Sequence, residues 1–221
     1  MNPDELLTTT RAVRKRLDLE KPVPRDVVEE CLRLAFQAPN GSNQQTWRWV
    51  VVDDPALRAQ MADIYRAGMD SYVSRPRDDD APAPDYSSTA ARRISSSVMH
   101  LREHLHEVPV LVVPTLPRRM EGADIFDQAS VWGSVLPAVW SFMLALRSRG
   151  LGSAWTTIHL HREREMAELL GVPYERVTQA GLFPVAYTLG TEFKPGDRDA
   201  SARSIRWNGW RGDAASDPGA M

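Results

Sequence analysis

Between Ala38-Pro39 and Trp47-Arg48-Trp49 the chain carries Asn40, Gly41, Asn43, Gln44 and Gln45. Carboxamides pair a donor with an acceptor, and several of them beside aromatic walls suit the edge of a planar heterocycle better than a metal or a bare phosphate. A polar surface turn is the other reading of the same residues. Two basic groups lie at opposite ends of the chain. Thr10-Arg11-Ala12-Val13-Arg14-Lys15-Arg16 spaces Arg11 and Arg14 as one face of a helical turn, and Lys194-Pro195-Gly196-Asp197-Arg198 follows the last apolar segment. Arginine binds phosphate bidentately and lysine adds a point charge; solvated surface charge is the plainer reading of each. His100-Leu101-Arg102-Glu103-His104 matches an H-x-x-E-H zinc motif, but no further carboxylate ligand stands in a defined context.

Several motifs are missing. Gly150-Leu151-Gly152 lacks the third glycine of a dinucleotide fingerprint and follows a helix where that motif needs a strand. Neither a P-loop nor a G-x-S-x-G elbow occurs.

The elements that must position these residues are legible in outline. Pro24 opens a helix to about Gln37, with Val27, Val28, Cys31, Leu32, Leu34 and Ala35 at helical period. Residues 47–52 read as a buried strand, and Pro55 opens a short helix to about Arg66. From 67 to 97 the composition turns to Asp, Pro, Ser and Arg, which predicts a solvated excursion or a lid, with Tyr72 and Tyr86 as stacking candidates. Val108–Leu116 is a second strand. Asp124–Ser148 is a helix apolar around most of its circumference, so it must be buried on several sides, in a core or against a partner, and Pro137 predicts a kink in it. Ala154–Ile158 reads as a strand, Glu163–Leu170 as a helix and Val177–Leu189 as the last strand. Trp207 and Trp210 sit in an otherwise polar tail of about 200–221 and need a burial site.

Composition narrows the class. The 221 residues suit a single domain, with 43% apolar and 25% charged residues and a formal charge of −2. No basic patch with interleaved aromatics points to nucleic acid. The acidic start lacks the order of a signal peptide, and no uninterrupted apolar run predicts a membrane span. The single Cys31 falls on an apolar helix face and is expected in the core. A soluble cytoplasmic protein is expected.

Taken in order, the basic N-terminal stretch, A-P-N-G-S-N-Q-Q-T-W-R-W, G-L-G-S-A-W and P-V-A-Y-T-L-G followed by K-P-G-D-R resemble the nitroreductase superfamily of FMN-dependent oxidoreductases, over about residues 8–60 and 124–200. The resemblance implies an α+β three-layer sandwich, a mixed central sheet flanked by helices, in an intertwined homodimer whose tails wrap the partner. It implies that Arg11, Ala12 and Arg14 contact the phosphate and flavin edge. Pro39, Asn40, Gly41, Asn43 and Gln45 would reach the flavin from the other subunit. Trp155, Thr156 and Thr157 would present backbone groups to the isoalloxazine, and Lys194 and Arg198 would close on the phosphate. The chain departs from the pattern at Thr10, where an arginine is common, at Ala12, where a serine is, at Thr46 in place of proline, and at Gly133 and Ser134 in place of amides.

The implied activity is ping-pong. NADH or NADPH reduces FMN, and a small electron-poor acceptor, a nitroaromatic or quinone, takes the hydride in the same pocket, with no protein nucleophile needed. Arg14 is the candidate to stabilise reduced-flavin charge near N1. The same resemblance also covers reductive dehalogenase-like and flavin-fragmenting enzymes and dehydrogenases of peptide-derived rings. A zinc hydrolase built on His100, Glu103 and His104, and a non-catalytic flavin-binding protein, are the readings outside it.

Overall fold

The structure, a computed structural model, describes residues 1–75, 88–196, 198 and 204–210. Asn2 caps α1 (Pro3–Thr9) by accepting from the Glu5 amide at 2.8 Å. Next come α2 (Arg25–Ala35), a 3₁₀ turn at Gly41–Asn43 and β1 (Arg48–Val52). Asp54 caps α3 (Pro55–Ser74), Ser88 caps α4 (Thr89–His104), and β2 covers Val110–Leu116. Asp124 caps α5 (Ile125–Ser148), which continues through Pro137. A 3₁₀ turn at Ile158–Arg162 and α6 (Glu163–Leu170) separate β3 (Leu151–Ser153) from β4 (Thr178–Gln179) and β5 (Phe183–Tyr187).

The sheet runs β1-β2-β5-β3 with β4 beside β2, and every ladder is antiparallel. Among the described residues, the mixed character expected from the sequence reduces to one parallel bridge, Ala12 with Ser153. Alternation along β2 and β5 divides the core into two layers. Val110, Val112, Phe183 and Val185 face α2 and α5, meeting Val28, Cys31, Val139 and Phe142. Leu111, Val113 and Ala186 face the other way onto Met61, Tyr65, Leu101 and Met166. This is the expected α+β sandwich, with helices on both faces. Cys31 is core, and burial pushes its thiol up to about 11.

Four expectations shift. Arg11 and Arg14 do not share a helical turn, because α1 stops at Thr9 and Ala12 joins the sheet through Ser153. The helix opened by Pro55 runs on to Ser74, past the expected end at Arg66, since Gly68 and Met69 are buried; the stretch around Tyr86 lies outside the described residues. The strand expected over 154–158 lies at Leu151–Ser153 instead. The last strand divides at Gly181, where the Trp155 indole packs so closely that a Cβ would meet its Nε1 at 2.3 Å. In addition, α5 is long and apolar enough to cross a bilayer, with a mean hydropathy of 1.5, though its second half is core: Val139, Phe142 and Leu146 are buried.

α3 packs on the Ile158–Arg162 turn. The approach is closest at Gly68, where a Cβ would stand 2.4 Å from the Ile158 carbonyl oxygen, a backbone atom that cannot swing aside. Gly68→Ala therefore overpacks this contact. It is expected to destabilise the fold by about 1–3 kcal/mol, read as a lowered melting temperature by circular dichroism.

Candidate active site

The N-terminal arginines and the segment after β3 come together. The Val13 amide donates to the Ser153 carbonyl at 2.8 Å, and the Thr156 amide and carbonyl both bond Leu182, at 3.1 and 2.8 Å. Thr156 is buried, and its hydroxyl lies 3.0 Å from the hydroxyl of buried Tyr65. Trp155 and Thr157 alternate outward and are exposed, with Trp155 anchored by its Nε1–H to the Ala180 carbonyl at 3.1 Å. Both backbone groups of Thr156 take part in this bridge, so its amide is committed to the Leu182 carbonyl.

Arg14 sits beside Tyr65. Burial pushes its pKa down, and the charge interaction with Tyr65 partly opposes this. The Nε atoms of Arg11 and Arg14 and the hydroxyl of Ser153 are buried without a hydrogen-bond partner. Each such group costs on the order of 1–3 kcal/mol, so a cluster of three is either strain or a binding surface. Arginine donors and a hydroxyl fit an anionic, hydrogen-bonding ligand such as a flavin phosphate and ring edge.

Arg16 has a different task. Its Nε, Nη1 and Nη2 donate to the carbonyls of Leu189, Glu192 and Gly190 at 2.9, 3.0 and 2.7 Å. That ties the segment after β5 to the basic stretch, with the Phe193 ring 4.1 Å beneath the Arg16 guanidinium. Lys194 follows and is exposed; Arg198 is exposed and lies over Gly196, and Asp197 is outside the described residues.

The amide loop forms a separate site. Asn40, Gly41, Gln44 and Gln45 line a cleft of about 310 Å³ with Leu116, Arg118, Phe126 and Ser130, and Pro39, Asn43, Arg11, Arg14 and Trp155 are not among its walls. Ser42, Asn43 and Gln45 all have φ near +50°, a region unfavourable to side-chain-bearing residues. The loop is held by its own amides: Asn40 Oδ1 accepts from the Gln45 amide at 3.0 Å and Asn43 Oδ1 from Gln45 Nε2 at 2.9 Å. Ser134 pins it to α5 by accepting from the Gly41 amide at 2.9 Å. Pro39 is exposed, and Trp47 is buried, stacked on Phe36. Arg118 closes one wall with an ion pair to Asp127 at 2.8 Å.

Sequence reasoning missed Tyr65, and it named Ser153 within G-L-G-S-A-W and Ser134 beside Gly133 without a role for either side chain. Their side chains give no pattern of their own, and only the fold brings them to the site. Tyr72, expected to stack on a ligand, lies against His161 with ring centres 5.7 Å apart. His100 and His104 do share a face of α4, with centroids 4.4 Å apart. However, His104 is bonded to Glu107, and among the described residues no three His, Cys, Asp or Glu side chains gather as a metal site. The zinc reading loses its third ligand.

Residues 7–187 match the nitroreductase family, and the chain belongs to it. The iodotyrosine deiodinase of Thermotoga neapolitana is similar at 28% identity over 181 residues, 82% of this chain and 86% of that protein. Iodotyrosine deiodinase 1 of Rattus norvegicus is 26% identical, and the chain spans 61% of its length. Among solved structures, oxidised iodotyrosine deiodinase bound to FMN and 3-iodo-L-tyrosine has a TM-score of 0.69 at 24% identity, covering 93% of this chain and 98% of that one. The FMN-dependent nitroreductase NfnB from Mycobacterium smegmatis, in complex with NADPH, has a TM-score of 0.63 at 18% identity, covering 84% and 87%. At these identities the structures share the fold.

His159, two residues after Thr157, is a buried titratable group. His159 is fully buried, neither ring nitrogen has a partner, and Gln179 is its polar neighbour. Burial pushes its pKa from 6.5 down to about 4. The folded state holds it neutral while the unfolded chain takes up the proton, so its contribution is full above pH 6.5 and is lost as pH falls towards 4. Thermal denaturation across this window is expected to show stability falling with acidification by up to about 3 kcal/mol from this group, and His159→Gln is expected to flatten that slope.

Proposed function

We propose that the protein is an FMN-dependent oxidoreductase that uses NADH or NADPH to reduce a small electron-poor acceptor. The observation that carries this reading is the convergence of Arg11, Arg14 and Ser153, each with a buried unpaired polar atom, on the turn that exposes Trp155 and Thr157. Bound there, FMN would supply two-electron redox chemistry between a nicotinamide donor and the acceptor.

The protein's own residues bind, orient and shield. Arg11 and Ala12 hold the phosphate end, with Lys194 and Arg198 approaching from the segment that Arg16 anchors. Arg14 supplies a fixed cation in a partly dehydrated setting, where it stabilises developing negative charge more strongly than it would in water. Tyr65 fixes Thr156, and through it the direction of the 155–157 turn. Trp155 and Thr157 flank the ring.

The amide loop completes the site from a second copy of the chain. This reading is supported by the cleft's separation from Arg11 and Arg14 and by exposed apolar side chains, of which Phe126 lines the cleft. Ile125 and Phe126 at the start of α5 are 85% and 78% exposed, and Trp210 is 91% exposed. In a homodimer these surfaces are covered, and Pro39, Asn40, Gly41, Asn43 and Gln45 lie along the partner's flavin.

The acceptor divides two readings. Nitroaromatics and quinones suit any open flavin face, whereas similarity to the Thermotoga deiodinase favours a halogenated aromatic ring. Iodide release from 3-iodotyrosine, measured beside nitroaromatic reduction, separates them. The test of the reading itself is an absorbance spectrum of the purified protein, then anaerobic addition of NADH or NADPH. Flavin bands that bleach are expected. A protein that stays colourless after FMN is supplied overturns the reading, and bound flavin that neither nucleotide reduces makes it a non-catalytic flavin protein. Arg14→Ala is expected to weaken flavin retention or lower the flavin reduction potential. Unchanged values for both remove that role from Arg14.

A further inference from the structure

Arg147, near the C-terminal end of α5, is a charged residue only 6% exposed. Buried arginines are ordinarily matched by a carboxylate, because desolvating an unmatched ion costs several kcal/mol. Among the described residues Arg147 forms no ion pair. Its one hydrogen bond to a described residue is a long one, 3.4 Å from Nη2 to the Thr9 hydroxyl, and its Nε is buried with no partner.

Its surroundings add to the excess of positive charge. Burial pushes its pKa down, Arg16 and Arg11 push in the same direction, and Glu5 acts with the opposite sign without reaching ion-pair distance. The guanidinium rests 4.7 Å from the centre of the Phe193 ring, whose other guanidinium neighbour is Arg16 at 4.1 Å. Cation–π contacts of this kind contribute on the order of 1 kcal/mol, which does not balance a buried unmatched charge. Arg16 has donors committed to three carbonyls, whereas Arg147 and Arg11 each keep an unpaired donor. Among the described residues, the Arg147 and Arg11 guanidiniums near the end of α1 therefore lack a counter-charge, and Arg16, held by carbonyls, adds a third positive charge beside them.

We propose that Arg147, together with Arg11 and Arg16, forms the floor of an anion site for a phosphate monoester, and that Arg147 is a residue by which this chain selects FMN over riboflavin. The identity of the monoester rests on the flavin reading. The charge imbalance does not. Arg147 adds positive charge from beneath, out of the core rather than from the N-terminal stretch. Its aliphatic stem packs in the core while its head strengthens the field at the site, so its contribution is tied to ligand charge and not to the flavin ring.

The experiment compares FMN and riboflavin binding to the apoprotein, by flavin fluorescence quenching, for the parent, Arg147→Met and Arg147→Lys. Methionine keeps the stem and its packing, and lysine keeps the charge. Arg147→Met is expected to lose about tenfold or more in FMN affinity with riboflavin affinity unchanged, and Arg147→Lys to recover most of the loss. Equal losses for both flavins, or none for either, overturn the proposal, because a packing role alone makes no distinction by phosphate. If the parent binds neither flavin, the flavin reading fails separately. In that case the melting temperature with inorganic phosphate against chloride at matched ionic strength decides the anion site. Phosphate stabilisation in the parent that disappears in Arg147→Met supports it, and no phosphate-specific shift in the parent overturns it.

Discussion

The site depends on one short pairing, the bridge of Ala12 with Ser153 and the Val13 amide on the Ser153 carbonyl. It places the basic N-terminal stretch along the outer edge of the sheet. The pairing is possible because residue 152 is glycine: a Cβ there would stand 2.9 Å from Val13 Cβ and 2.7 Å from Thr188 Cγ2. Leu17 then bridges Thr188, and Arg16 captures the carbonyls beyond β5. Two ends of the chain that are distant in sequence thus meet around β3, and the arginines are carried with them.

Electrostatics sets the second constraint. The region gathers like charge, and burial makes that charge expensive, so the arrangement is stable to the extent that an anion or solvent satisfies it. Elsewhere the fold pairs its charges. Arg119 is held by Glu121 and Glu163, and Glu163 also accepts from the Gln179 amide at 2.9 Å, which fixes α6 to β4. Arg149 and Glu30 tie the end of α5 to α2 at 2.7 Å. Against that background the unpaired donors of Arg11, Arg14 and Arg147 stand out, and they lie on the side of the molecule where the family's N-terminal and post-sheet motifs converge.

The helices with strong period, α2 and α6, were legible in the sequence because one apolar stripe meets one sheet face. The α5 helix was legible too, since apolar residues around its whole circumference require burial on more than one side. The structure supplies that burial over the second half of the helix and leaves Ile125 and Phe126 outside. What pattern could not give was the break between β4 and β5, set by the Trp155 indole over Gly181, or the non-helical path of Arg11 to Arg14, set by sheet pairing. Helical spacing of the two arginines was a coincidence of position. Residue type and order were enough to single out the arginines and the amide loop as candidates. Tyr65, Ser153 and Arg147 depend on tertiary placement, and a buried arginine without a partner has no signature in a sequence where arginine is common.

The most direct measurement of this account is a crystal structure of the flavin-loaded protein. The account predicts a dimer with the phosphate at Arg11 and Arg14, the ring along Trp155 and Thr157, and the loop from Asn40 to Gln45 of the second copy against it. Flavin bound within one chain, in the cleft between its own amide loop and α5 and away from the arginines, would contradict it.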